Sequence, residues 1–266
     1  MKERIIMIIL LALLISSTSS SFQMVSAHKP LQVDGNNNNF ATAQEIPNHR
    51  VSWAIYEQLS ESDRIHYYKF VANKGERVYA QISIPKLEKF SNFAPSIAIL
   101  GSDLTTSNLE RGYSMREYAH ETGDLPFNIP PAMRAIVVDY TGPIPSSEFY
   151  EPFTQTSYWE RQEVIINSLP SDGTYYLAVF DGHPIQGVGK YTLAVGEVED
   201  FSAFDFLTLL PSAWFQTKFF FEDYLSPTIA ISLLVALLTL IGISVAKRVK
   251  ARRIRSDEAR KPLNHQ

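Results

Sequence analysis

The chain has 266 residues, 20% of them charged, a formal net charge of −4 and no cysteine. Disulfide scaffolds, thiolate metal sites and cysteine nucleophiles are thereby excluded. Residues 28–224 hold 14 Lys and Arg against 25 Asp and Glu, while residues 247–266 hold 8 against 2, and so acidic a middle disfavours nucleic acid and anionic polymers as partners.

At the start, Lys2 and Arg4 flank an apolar run, residues 5–15, that is too short to span a bilayer. A Ser/Thr-rich stretch follows, and Val25-Ser26-Ala27 places small residues at the −3 and −1 positions of a signal-peptidase site. Residues 1–27 read as a cleavable signal peptide, which makes His28 the first mature residue. An exported domain with neither cysteine nor an Asn-x-Ser/Thr sequon fits a prokaryotic surface protein better than a eukaryotic receptor.

Residues 28–50 form an Asn-rich lead-in. Within it Asp34, Asn36, Asn38 and Glu45 nearly reproduce a calcium loop, with oxygen ligands at its first, third, fifth and last positions. Asn39 stands where that loop carries glycine, and tolerates the left-handed backbone the position requires. A free amino-terminal His28 could chelate copper through its amino and imidazole nitrogens with one further histidine. His49, His66, His120 and His183 are available for that role.

From 51 to 200 short runs rich in β-branched and aromatic residues recur between turn residues: 51–56, 65–71, 77–84, 96–100, 134–140, 161–167, 174–180 and 190–195. Residues 77–84 alternate, with Arg77, Tyr79, Gln81 and Ser83 expected outward and Val78, Ala80, Ile82 and Ile84 inward. Residues 101–131 read as a long polar, then Pro-rich, loop with at most a short helical turn. This pattern of short strands without a long helix predicts an all-β ectodomain, an antiparallel β-sandwich. In the aromatic stretch 149–159, Tyr150, Phe153, Tyr158 and Trp159 could stack on sugar rings or cap an open end of the sandwich.

Residues 201–226 are strongly aromatic. They read as an interfacial segment, two short helices broken at Pro211, with Trp214, Phe215, Phe219, Phe220 and Tyr224 at headgroup depth; a last strand of the sandwich is the alternative. Residues 227–246 carry no charge and would span about 30 Å as a helix, enough to cross a bilayer. Lys247, Arg248, Lys250, Arg252, Arg253 and Arg255 follow at once. A basic cluster of this kind stays in the cytoplasm, which puts the N-terminal domain outside.

Two segments share a pattern: "YEQLSESDRIHYYKFVANKGERVYAQISIP" and "LPSDGTYYLAVFDGHPIQGVGKYTLAVG". Asp63, Tyr67, Tyr68, Phe70 and Gly75 lie on the first, and Gly173, Tyr175, Tyr176, Leu177, Val179, Gly189, Tyr191 and Leu193 on the second. Over roughly 36–196 the chain resembles the bacterial pre-peptidase C-terminal domain. The resemblance implies a jelly-roll-like sandwich used as a non-catalytic accessory module, with calcium or polysaccharide as ligands of some members. It brings no catalytic residues. The sequence contains no G-x-S-x-G and no H-E-x-x-H, and His120-Glu121 lacks a second histidine. The expected protein is a non-catalytic surface binding or assembly module, its partners the lipid bilayer, another membrane or surface protein, or a polysaccharide. An anchored calcium or copper protein and an extracellular hydrolase are the alternatives.

Overall fold

The computed structural model describes residues 28–33, 35–110, 114–119, 125–182, 188–202, 204–205 and 207–259. The signal peptide read at 1–27 lies outside them, as do Asp34, His120, Glu121, His183 and the end of the basic tail, 260–266. The chain divides into two units, Met1–Trp214 and Phe215–Gln266.

The first unit is a sandwich of two six-stranded sheets. Sheet A runs β1 (Lys29–Pro30), β3 (Trp53–Gln58), β12 (Lys190–Val195), β5 (Val78–Pro85), β10 (Thr156–Ile166), β9 (Glu148–Glu151). Sheet B runs β2 (Gln44–Glu45), β4 (Ile65–Ala72), β11 (Gly173–Phe180), β6 (Ser96–Gly101), β8 (Arg134–Asp139), β7 (Ser114–Tyr118). Neighbours pair antiparallel except β1 with β3 and β2 with β4. The sheets are therefore mixed, where the sequence predicted a purely antiparallel sandwich. Both exceptions are two-residue strands from the Asn-rich lead-in, too short for any hydrophobic period to show. The loop expected at 101–131 likewise holds a 3-10 turn, Thr106–Asn108, and the edge strand β7.

The core lies where the sheets face each other. Ile55, Leu193, Ile82 and Val164 of sheet A meet Phe70, Leu177, Ile99 and Ile136 of sheet B. Strand β5 follows the predicted alternation, with Val78, Ala80, Ile82 and Ile84 fully buried. Sheet B is covered on its outer side too: Leu125, Phe127, Ile129 and Met133 pack over Tyr67, Ala98, Val137 and Phe180. Burial on both faces explains why β6, β8 and β11 read as nearly continuous apolar runs. The outer face of sheet A carries the candidate site.

A polar network crosses the interior. Glu57 and Tyr191 sit opposite each other on β3 and β12, and His66 and Tyr68 share a face of β4. Glu57 Oε2 accepts hydrogen bonds from the Tyr68 hydroxyl, from the Tyr191 hydroxyl at 3.1 Å and from Asn37 Nδ2 at 3.1 Å. His66 Nδ1 lies 3.1 Å from that same oxygen and 2.7 Å from the Tyr191 hydroxyl, and Nε2 lies 3.2 Å from Asp63 Oδ2. Burial opposes charge on both groups. The hydrogen bond and charge they exchange win, raising His66 above 6.5 and lowering Glu57 below 4.5.

The second unit is dominated by α2 (Leu225–Ala259), which α1 (Leu209–Phe220) precedes. Pro211 does not break the segment into two helices as expected. It occupies the first turn of α1, where a proline forfeits no intrahelical hydrogen bond. Helix α2 is long and apolar enough to cross a membrane, and its leucines and valines are exposed all round, Leu233 by 63% and Val235 by 56%. The hydroxyls of Thr228, Ser232 and Thr239 each donate to the carbonyl four residues earlier, at 2.7–2.8 Å, so they leave no unmet polar group on the helix surface. The helix runs on without interruption through Lys247 to Arg255.

Candidate binding groove on the outer face of sheet A

Outward side chains of sheet A form rows across its strands. Pairing register sets Tyr56, Thr192, Ser83 and Glu160 in one row. The next row holds Ala54, Ala194, Gln81 and Glu163. Small residues in the middle and large ones at the sides make a trough. The β9–β10 hairpin leans over one side and brings Phe149, Glu151 and Phe153, while Tyr79 and Tyr158 wall it further. The enclosed volume is about 450 Å³, within the range of small-molecule sites.

A β-bulge is needed to build it. Glu160 and Glu163 are three residues apart on β10, and in a regular strand they would face opposite sides. The register slips between them, with Glu160 opposite Ser83 and Glu163 opposite Gln81. The extra residue turns both carboxylates outward. Arg161 and Gln162 go inward instead, 1% and 0% exposed. Arg161 Nε donates to the Phe93 carbonyl at 3.0 Å and an η-nitrogen to the Ser91 carbonyl at 3.0 Å, while Gln162 Nε2 donates to the Pro95 carbonyl at 2.5 Å. These contacts pin the bulge to the 91–95 loop.

The hairpin is fixed by one carboxylate. Glu151 accepts from the backbone N–H of Phe153 at 3.0 Å and of Thr154 at 2.5 Å, and from the Thr154 hydroxyl. Gln155 completes the turn with a φ of 53°. Phe149 and Tyr158 lie 6.4 Å apart across the hairpin.

The groove is acidic throughout. Glu151, Glu160, Glu163 and Glu197 line it, and among the described residues no lysine or arginine does, although Glu197 is paired with Arg77 at 2.7 Å. Glu163 accepts from Gln81 Nε2 at 3.2 Å. Burial, reinforced by the neighbouring charges of Glu160, Glu110 and Glu197, raises its carboxyl above the ordinary value. Thr192 on the floor is only 7% exposed, and its hydroxyl has no hydrogen-bond partner among the described residues.

Several sequence-predicted residues meet here. His28 lines the groove, its Nδ1 2.6 Å from Ser52 Oγ; burial lowers its pKa, opposed by the charges of Glu151 and Glu199. Phe153 and Tyr158 line the groove as well. Tyr150 and Trp159 do not. Trp159 follows Tyr158 on the same strand, so it points the other way and joins the core at 4% exposure. Tyr150 is 56% exposed outside the groove. Of the calcium-loop residues, Asn36, Asn38 and Glu45 do not line it. Asn36 Oδ1 accepts from the Asn38 backbone, Asn38 Oδ1 from Asn39 Nδ2, and Glu45 sits on β2 beside Lys69. Asn39 caps the 3-10 turn Phe40–Thr42 by accepting from the N–H groups of Ala41 and Thr42. Among the described residues no three His, Asp or Glu converge as a metal site. His49 and His66 are buried, each 3% exposed. Of the interfacial aromatics, Trp214, Phe215, Phe219 and Phe220 lie on α1, and Tyr224 lies just before α2. Phe219 and Tyr224 are exposed. The outward Gln81, Ser83, Glu160, Glu163 and Thr192 escaped attention as site residues; only the alternation of 77–84 hinted at the first two.

No protein-family model matches this chain, and no curated protein matches it.

Proposed function

We propose that the chain is a non-catalytic binding or assembly module. Helix α2 anchors it, the sandwich faces outside, and Lys247 to Arg255 hold the helix end in the cytoplasm. The observation that carries the reading is the groove. A walled trough of small-molecule size lies on the outer face of sheet A, with Ala213 of α1 contributing to its lining. Kinship with the pre-peptidase C-terminal domain, and with it a jelly-roll-like sandwich, is part of this proposal and rests on the strand and turn pattern of the two segments. Asp63, Tyr68 and Tyr191, which carry that resemblance, belong to a single interior network.

The partner on this reading is a second membrane or surface protein, with a polysaccharide as the alternative. The test places a photoreactive residue at Phe149, at the groove wall, in the full chain in its membrane. Light is expected to give a cross-linked species, and Thr192→Trp, which fills the floor, should abolish it. A species that persists in Thr192→Trp would rule the groove out as the binding face.

The metal reading rests on His28, whose imidazole lines the groove within reach of the charge of Glu151. Its Nδ1 is engaged by Ser52, so copper chelation would require that contact to open. A rise in unfolding temperature with calcium or copper, reversed by a chelator, would favour this reading.

A further inference from the structure

We infer that the groove recognises a protonated aliphatic amine, an ammonium head on an alkyl stem. The inference rests on the groove being the binding face.

Three independent features agree on this chemistry. The first is charge. Glu160 and Glu163 share the groove wall, and neither is in an ion pair with a cation among the described residues. Glu160 accepts from the Ser147 hydroxyl at 2.7 Å, and Glu163 from Gln81 Nε2 and, at 3.5 Å, from the Tyr79 hydroxyl. Neutral donors leave both charges uncompensated, in a place where Glu163 is already held back from ionising by burial and by its neighbours. An entering cation relieves this; a neutral sugar does not.

The second feature is the orphan hydroxyl of Thr192. It is more than nine-tenths buried, and it shares its row with Ser83 and Glu160. A buried polar atom without a partner is costly, and a ligand that donates to it recovers that cost. An ammonium carries three N–H donors and no acceptor, so it suits a floor and wall made of acceptors. A quaternary ammonium could donate to none of them.

The third is the apolar lining. Phe149, Phe153 and Tyr158 line the groove together with Ala54 and Ala194. Rings and methyl groups accommodate methylenes, and ring faces add cation–π attraction.

Two sources supply this ligand chemistry, a lysine side chain of a partner polypeptide and a free polyamine. The test titrates the full chain in detergent micelles by calorimetry. Its four probes are spermidine, a lysine peptide capped at both ends, tetramethylammonium and a neutral oligosaccharide. Spermidine or the lysine peptide should bind, and the tighter of the two names the source. Glu163→Gln is expected to weaken that binding by about tenfold, the size of one lost charge-assisted contact. Thr192→Val, nearly the same shape without the acceptor, should weaken it severalfold and provides a second check if Glu163→Gln folds poorly. Binding of neither amine would overturn the inference, as would amine binding unchanged in both variants. Oligosaccharide binding alone, abolished by Thr192→Trp, would sink the amine and leave the groove standing as the binding face.

Discussion

His66 and Glu57 are the pair whose protonation the fold most visibly controls. Desolvation penalises charge on each, yet mutual contact raises the histidine above 6.5 and lowers the glutamate below 4.5. As pH rises through the raised His66 value, the folded protein gives up a proton that it holds more tightly than the unfolded chain, so stability falls. As pH drops below 4.5 towards the lowered Glu57 value, the folded carboxylate resists a proton that the unfolded chain accepts, and stability falls again. The contribution of the pair is therefore whole between about pH 4.5 and 6.5. His49 acts with the opposite sign. Burial, opposed by Glu76, depresses it, so acidification below 6.5 works against the fold there. His66→Gln should cost on the order of 2 kcal/mol near pH 6. It should also flatten the decline in urea midpoint that the wild type shows as pH rises above about 6.5. Parallel pH curves for the two proteins would remove His66 from the account.

At the scale of elements, what the sequence disclosed depended on regularity. Strand β5 alternates without interruption from Val78 to Ile84, and its inward and outward sets were legible from the residues alone. Strand β10 was not. Its bulge shifts the period by one between Glu160 and Glu163, so neighbours in the chain no longer predict neighbours in the groove. The aromatic stretch drew notice for its rings, but adjacent rings on a strand serve opposite faces, and this sends Tyr158 to the groove and Trp159 to the core. His28 reaches the groove only through the two-residue parallel pairing of β1 with β3, which leaves no trace in composition. One turn is tightly constrained. Gly196 ends β12 with a φ of 79°, and a Cβ there would collide with the carbonyl oxygens of Val51 and His49. Gly196→Ala should destabilise the protein by about 2 kcal/mol or more, read as a lower urea midpoint with an unchanged slope. A neutral result would mean that the Val51 segment yields easily.

At the scale of the whole molecule, one chain carries an acidic groove and an apolar helix followed by a basic run. Helix α2 was the most legible part of the chain, because an uncharged stretch of this length needs no tertiary context to be noticed. The groove was the least legible, since it is assembled from four central strands and a hairpin that meet only after folding. Charge follows the same division, with a net excess of carboxylates in residues 28–224 and of Lys and Arg in residues 247–266. Because the chain has no cysteine, single introduced thiols report position without background. The most direct measurement compares Phe149→Cys, at the groove wall, with Ser256→Cys, near the end of α2, in cells expressing the full chain. A membrane-impermeant maleimide should label Phe149→Cys on intact cells and reach Ser256→Cys only after lysis. The reverse pattern, or labelling of both before lysis, would contradict a membrane-anchored module that displays its groove outside the cell.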